Sequence, residues 1–501
     1  MDKVRVLFLC VAWLVAWTCL SAQSQDWHWI SRSNGAGPEH VTALATDSWG
    51  NTYVGGYFNT SAILGSITLT TSETSMFVAK LDPSGNWLWA RQAGDTSFSS
   101  YCNALAVDSA GNVFIAGNFS GTAVFGTTTH VSAGQADIFL AKLDTHGNWI
   151  WSQSAGTGDN EICNALALDD EANVYITGYA GTVIYVSKFT SGGIHVVTLL
   201  SGGTGSGVGR GIVVDAYGNI YITGNFSGSV VFSATTLTSA GGHDMFIIKL
   251  TPSGTLEWAR RAGGIGNEFA RGIALDGVST VYATGNFDGT TNIGGIVFTS
   301  NGTDGFVAKL SNTGTWQGAA QIGGSGTQFP YSICVENSNA IYVTGVFTDT
   351  GVWGSYSLVS AGFQDIFVAK MNSTGTWLWA KRAGGVQYDE GRAIALDANG
   401  DLRVGGYFMS NAAFGSLTLT GISTLISDLF VAKIGDLIPR PPDNLSITRS
   451  AGNAVLAWDP VTETIFGQAM IPDHYKVYRN SLDATSPYTY LGSTGATNYT
   501  H

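Results

Sequence analysis

The stretch ALAVDSAGNVFIAGNF, Ala104 to Phe119, consists of two short apolar runs joined by a turn. The first run, Ala104 to Val107, alternates large residues with alanine. The second, Asn112 to Gly117, is rich in β-branched and aromatic residues, which suit a pleated, half-buried surface. Between them, Asp108-Ser-Ala-Gly111 is turn chemistry: the carboxylate caps the turn, and glycine supplies a positive φ without steric cost. The stretch reads as a β-hairpin.

Copies of this hairpin recur as far as Phe408. Aligned on the glycine that closes the second run, they fall at Gly56, Gly117, Gly178, Gly224, Gly285, Gly345 and Gly406, in steps of 61, 61, 46, 61, 60 and 61 residues. A fixed period built only of strand signals marks a repeat architecture. Each copy leads into a third run of the type Phe77-Val-Ala-Lys80. A second glycine turn then precedes a Trp-rich fourth run such as Trp87-Leu-Trp-Ala90. Four antiparallel strands in each of seven units predict an all-β fold, a seven-bladed β-propeller spanning residues 23–437. The last full unit, ending at Ile434, lacks a Trp run, whereas an orphan one, Trp27-His-Trp-Ile30, stands near the N-terminus. That run is expected to be the outer strand of the last blade and to close the ring. The third repeat lacks an insert of about 18 residues carried by most of the others, which accounts for its short step.

Three segments lie outside the repeats. Residues 1–22 combine a basic start, the apolar run Val6 to Leu20 and the small-residue ending Leu20-Ser-Ala22, the pattern of a secretory signal peptide. Residues 438–444, with Pro439-Arg-Pro-Pro442, form a stiff linker. Residues 445–501 carry the runs Leu445 to Ile447, Val455 to Trp458, Tyr475 to Tyr478 and Tyr488 to Leu491, which read as sandwich strands. The spacing of Trp458 and Tyr475-Lys-Val-Tyr478 resembles a fibronectin type III domain. The domain is incomplete at His501, which suggests a fragment of a longer protein.

Composition excludes several function classes. Charged residues make up 12% of the chain and the formal net charge is −13, which argues against nucleic acid or anionic lipid as a partner. After the signal peptide, no run approaches the roughly 18 apolar residues of a membrane span. Cleavage leaves Cys102, Cys163 and Cys334, too few for a disulfide framework, so they read as buried thiols. A secreted or cell-surface protein, monomeric and held by packing, is expected.

The repeat Ala-x-Asp-x-x-Gly-Asn-x-Tyr-x-x-Gly, followed by Asp-x-Phe-Val-Ala-Lys-Leu, resembles the SBBP β-propeller repeat of secreted bacterial proteins over about residues 27–434. Blade three departs most, with Ala172 in place of the turn glycine. The resemblance implies a surface or secreted protein, often followed by adhesion-type modules, and no defined catalytic site.

The eight histidines are scattered singly, and no zinc signature, nucleophile elbow or phosphate loop occurs. The turn aspartates Asp108, Asp169, Asp215, Asp276 and Asp397 read as caps. Calcium at these turns is the one metal alternative, but it is unsupported because no turn offers the alternating oxygens of a calcium loop, so no metal or cofactor is assigned. One constellation stands out. Glu161, Glu268 and Glu390 sit just before inner strands, and Arg210, Arg271 and Arg392 at their starts. In a propeller these positions gather at one mouth of the central channel, so the six are the candidate ligand-binding residues. They suit a polar ligand such as a glycan, with Trp and Tyr as stacking surfaces. A solvated rim of ion pairs is the bland alternative. The predicted function is a non-enzymatic scaffold that binds a glycan or protein partner. Its rivals are a secreted carbohydrate-active enzyme with acids at the channel mouth and a spacer that presents modules beyond His501.

Overall fold

The computed structural model describes residues 25–94, 98–277, 279–336, 340–436 and five short strands between 446 and 500. The predicted signal peptide and linker lie outside the described residues. The chain divides into two units, residues 29–434 and the remainder.

The larger unit is all-β and propeller-like, a succession of seven antiparallel sheets with four core strands each; five are four-stranded, and sheets five and six are extended to six strands by the insert hairpin of the repeat that follows. Sheet one runs Glu39–Thr46, Thr52–Leu64, Ile67–Leu81 and Trp87–Ala93 in spatial order. The first strands of the next six are Ser100–Val107, Glu161–Leu168, Ser206–Val214, Glu268–Leu275, Gln328–Glu336 and Glu390–Leu396. Sheets two to six each continue through consecutive core strands. The seventh is completed from the other end of the chain, because Gln25–Arg32 lies beside Ser427–Asp436 as its outer strand. Within that seam, Ser33 N donates to Leu429 O at 3.2 Å and Leu429 N to Ser33 Oγ at 3.1 Å. Arg32 lies 3.6 Å from Asp428.

Turn chemistry sets the hairpins. Asp108 Oδ1 accepts from the amides of Ala110 and Asn112 at 3.0 and 2.8 Å, while Asn112 Nδ2 donates to Oδ2 at 2.8 Å. Asp47, Asp169 and Asp215 repeat this pattern, and a buried tyrosine six residues on donates to each of these three carboxylates. The acids are therefore held as caps. Between the second and third strands, the inserts form their own hairpins, such as Thr122–Phe125 with Thr128–Val131. In sheets one and five the insert instead extends the two strands, giving Val281–Ile293 and Ile296–Leu310. Sheet three, without an insert, turns directly from Val174–Ala180 into Val183–Phe189.

The core lies between the sheets rather than within one. Tyr53, Val78 and Trp89 of sheet one pack with Leu105, Ile115 and Phe139 of sheet two. Leu429 and Val431 of sheet seven share a cluster with Val54 and Phe77 of sheet one. Each such side chain contributes roughly 1.5–3 kcal/mol on burial, so packing between neighbours stabilises the array. Cys102, Cys163 and Cys334 are free thiols, and the first two are fully buried.

In the smaller unit, Ser446–Ser450, Asn453–Ala457 and Asn498–Thr500 form one three-stranded antiparallel sheet. Tyr475–Arg479 and Thr489–Thr494 pair as a ribbon. Among the described residues, no helix is long and apolar enough to cross a membrane.

Candidate functional site

The glycine that marks the period does its work inside a strand. Gly117 pairs with Cys102, and the first strand bulges between Cys102 and Ala104, leaving Asn103 without a register partner. A Cβ on Gly117 would lie 1.8 Å from the Tyr101 carbonyl oxygen. Only glycine lets the bulged backbone approach this closely. The same bulge occurs in all seven sheets, leaving Thr42, Asn103, Asn164, Arg210, Arg271, Tyr331 and Arg392 as the extra residues. A bulge re-aims one side chain out of the alternating pattern. All seven of these residues line one cavity of about 340 Å³.

The cavity is chemically lopsided. In the first three sheets the bulge side chain ties its sheet to the next. Thr42 Oγ1 donates to Cys102 O, Asn103 Nδ2 to Cys163 O at 2.8 Å, and Asn164 Nδ2 to Gly209 O at 2.8 Å. In sheets four and five, arginine is anchored within its own sheet through Nε. Arg210 Nε donates to Asn225 Oδ1 at 2.7 Å and Arg271 Nε to Asn286 Oδ1 at 2.9 Å. In sheet six, two guanidinium groups lie over the Tyr331 ring, with Arg271 Cζ 5.2 Å and Arg392 Cζ 4.3 Å from its centroid. Such cation–π contacts favour charge held over the ring face. One wall is thus cationic and the other carries neutral polar groups.

Electrostatics follows from this crowding. Burial, then the positive charge of Arg271, pushes Arg210 down to about 10. Burial also lowers Arg271, with the Arg392 charge adding to the effect. Burial opposes the charge on Arg392 as well, but Glu390 and the nearby phenols outweigh it, and its pKa is raised. Beside this arginine, His40 stacks on Tyr57 at 4.9 Å and meets Tyr407 at 4.2 Å. Burial and the Arg392 charge bring His40 down to about 4, so it is neutral at pH 7.

The structure separates the six predicted residues. Arg210, Arg271 and Arg392 line the cavity together, and the carboxylate of Glu390 pairs with Arg392. Glu161 and Glu268 are not brought to this site. They stand seventeen residues before their period glycines, whereas Glu390 stands sixteen before its own, and a one-residue offset in a strand reverses the face. Glu161 is buried and accepts from the Thr157 amide at 3.2 Å. Glu268 is fully buried, and neither of its oxygens makes a hydrogen bond of normal geometry, although the Gly264 amide and Thr291 hydroxyl are near. Burial, with Asp244 and Asp288 adding to it, raises this carboxyl to about 7. Thr42, Asn103, Asn164 and Tyr331 carry no signal in their residue type. Their signal is positional: each bulge residue lies fourteen residues before its period glycine.

Strands in repeated sheets, with one bulge per sheet converging on a shared cavity, define a propeller repeat protein. The SBBP beta-propeller repeat family matches residues 88–118, which span the outer strand of sheet one and the hairpin of sheet two. The chain is 23% identical over 434 residues to an uncharacterized WD repeat-containing protein of Acanthamoeba polyphaga mimivirus, covering 64% of this chain and 31% of the viral one. It is 25% identical over 370 residues to the regulatory protein FlaEY of Caulobacter vibrioides, covering 66% of this chain and 38% of that protein. The chain thus spans about a third of the length of these curated relatives. Among solved structures, a protein of unknown function from Dyadobacter fermentans is similar with a TM-score of 0.40 at 10% identity, over 82% of this chain and 99% of that one. That likeness is too distant to carry a function across.

Proposed function

We propose that the seven sheets are the blades of a closed seven-bladed β-propeller, and that the protein is an exported, non-enzymatic binding scaffold whose ligand site is the central channel. Closure is supported by the strand Gln25–Arg32 completing the seventh sheet and by the apolar cluster shared between sheets seven and one. Export is supported by the signal-like segment of residues 1–22. The observation that carries the binding reading is the convergence of seven bulge residues on one cavity. Seven bulges re-aim seven side chains inward, three of them costly half-buried arginines, which packing alone does not require. Glu161 and Glu268 are not among the residues that line this cavity, and among the described residues no pair of acids lines it. The ligand is a glycan or an extended segment of a protein partner.

The test passes the full chain over immobilised polysaccharides and surface glycoproteins, reading retention and released sugar in one sample. Retention without product is the expected result. Release of reducing ends that is lost in Glu390→Gln would replace the scaffold with an enzyme.

A further inference from the structure

Among the described residues, the three arginines of the channel have one carboxylate partner between them. Glu390 pairs with Arg392, and among the described residues no aspartate or glutamate lines the cavity. Arg210 and Arg271 are each oriented through Nε by an asparagine. Among the described residues, their Nη groups make no hydrogen bond to the protein. Guanidinium groups held by one nitrogen, with the other two left open, present the two-pronged donor that matches a carboxylate or sulfate. This occurs in a chain whose formal net charge is −13, so the cationic wall runs against the overall charge balance. Two half-buried like charges next to each other disfavour the empty state. A bound anion removes both the repulsion and part of the desolvation cost.

The rest of the lining narrows the ligand. Asn103, Asn164, Thr42 and Ser332 make the wall polar without charge, and Tyr331 offers a ring beside Arg271 and Arg392. A cavity of about 340 Å³ lies at the small end of ligand-site volumes. Hydroxyl-rich rings suit carboxamide and hydroxyl partners, and a carboxylate on such a ring would meet the guanidinium pair. Resting on the binding reading above, we infer that the channel selects an acidic saccharide, its carboxylate held by Arg210 and Arg271 and its hydroxyls by the asparagine wall.

The experiment titrates the full chain with a trimer of galacturonic acid and with a trimer of galactose, by calorimetry, at about 50 mM and about 300 mM salt. The acid trimer is expected to bind about tenfold more tightly than the neutral one and to lose most of that advantage at the higher salt. Arg210→Gln and Arg271→Gln should each remove the preference for the acid. Their melting temperatures should not fall, since each relieves repulsion, and this keeps a folding defect apart from a lost contact. Equal affinity for the two trimers, or full preference retained in both variants, overturns the inference. If the polysaccharide panel still retains the protein in that case, the binding reading stands without it. Absence of retention on the panel and of binding to either trimer overturns both.

Discussion

The indole nitrogen of Trp29 donates to the carbonyl of Pro83 at 3.1 Å. Trp89 bears the same relation to Thr145, Trp151 to Ser191 and Trp258 to Asn312, at 3.0, 3.2 and 3.0 Å. In each case a tryptophan of one outer strand reaches the turn before the outer strand of the next sheet. Trp29 makes the bond from sheet seven to sheet one, so residues 54 apart in sequence form a junction equivalent to those along the chain. The turn glycine receives the ring: a Cβ on Gly85 would lie 2.7 Å from Trp29, and φ there is +87°.

Trp29→Ala is therefore expected to weaken the seam by about 2–3 kcal/mol, below the full range for a core tryptophan because the residue is half-buried. Trp29→Phe keeps part of the packing and loses the hydrogen bond, at about 1 kcal/mol. Urea unfolding gives both values. Amide exchange should show protection lost together in residues 29–32 and 427–434. An unchanged exchange pattern in Trp29→Ala would argue against a seam held in this way.

The period glycine makes a sharper prediction. Gly117→Ala places a methyl group 1.8 Å from the Tyr101 carbonyl and 2.9 Å from the Phe139 ring. The bulge must flatten or the strands must part, at a cost of about 3 kcal/mol. Gly158→Ala, with nothing within 4 Å of the new methyl, should stay within about 0.5 kcal/mol. The urea midpoints of the pair measure the difference. Comparable losses in both would show that the close approach at the bulge does not govern stability.

Much of the architecture is legible because glycine spacing and turn aspartates are local signals that repeat. The insert hairpins, the capping carboxylates and the short third repeat are all visible in the same way. The cavity is less so. A glycine in the middle of an apolar run reads as the end of a strand, when physically it accommodates a carbonyl from a bulged neighbour. Without the bulge, Arg210, Arg271 and Arg392 are conspicuous only by charge, and Thr42, Asn103 and Asn164 not at all. Glu161 and Glu268 look equivalent to Glu390 in sequence because each precedes an inner strand. A single residue of offset sends them to the opposite face, and strand alternation cannot be phased until the bulge position is known.

Buried acids give the fold a pH dependence of unusual sign. Burial, with Asp428 adding to it, raises Glu39 to about 8, despite Ser33 and the Gly35 amide, and Glu268 is raised to about 7. Asp389 is raised to about 7, first by burial, while the amides of Gly385 and Met409 oppose the shift; Asp365 raises it and Arg382 lowers it. Between roughly pH 4 and 8 the folded chain holds protons that the unfolded chain releases. The contribution of these groups is present below the unfolded pKa and is lost as pH rises through the folded one. His40, lowered to about 4, works oppositely, because below about pH 6.5 the unfolded imidazole takes a proton that the folded one refuses. Three acids outweigh one histidine. Stability should fall by on the order of 3 kcal/mol from pH 5 to pH 9, measured by urea unfolding across that range. A rise over that interval would mean that these carboxyls are ionised in the fold at neutral pH.

Glu268 and Glu390 should respond in opposite ways to the same substitution. Glu268→Gln replaces a fully buried acid, raised to about 7, by a neutral group of the same shape. It removes the cost of ionisation, so stability at pH 9 should rise by about 1–2 kcal/mol, with little change at pH 5 and none in ligand affinity. Glu390→Gln leaves Arg392 without its carboxylate and adds one positive charge beside the cavity. That variant should lose about 1–2 kcal/mol of stability, because a half-buried guanidinium loses its partner. It should also bind anionic saccharides more tightly and with a steeper salt dependence. Urea unfolding at the two pH values and calorimetry with the galacturonic acid trimer read both effects. Weaker binding of the acid trimer in Glu390→Gln would mean that the glutamate contacts the ligand directly rather than restraining the arginine beside it.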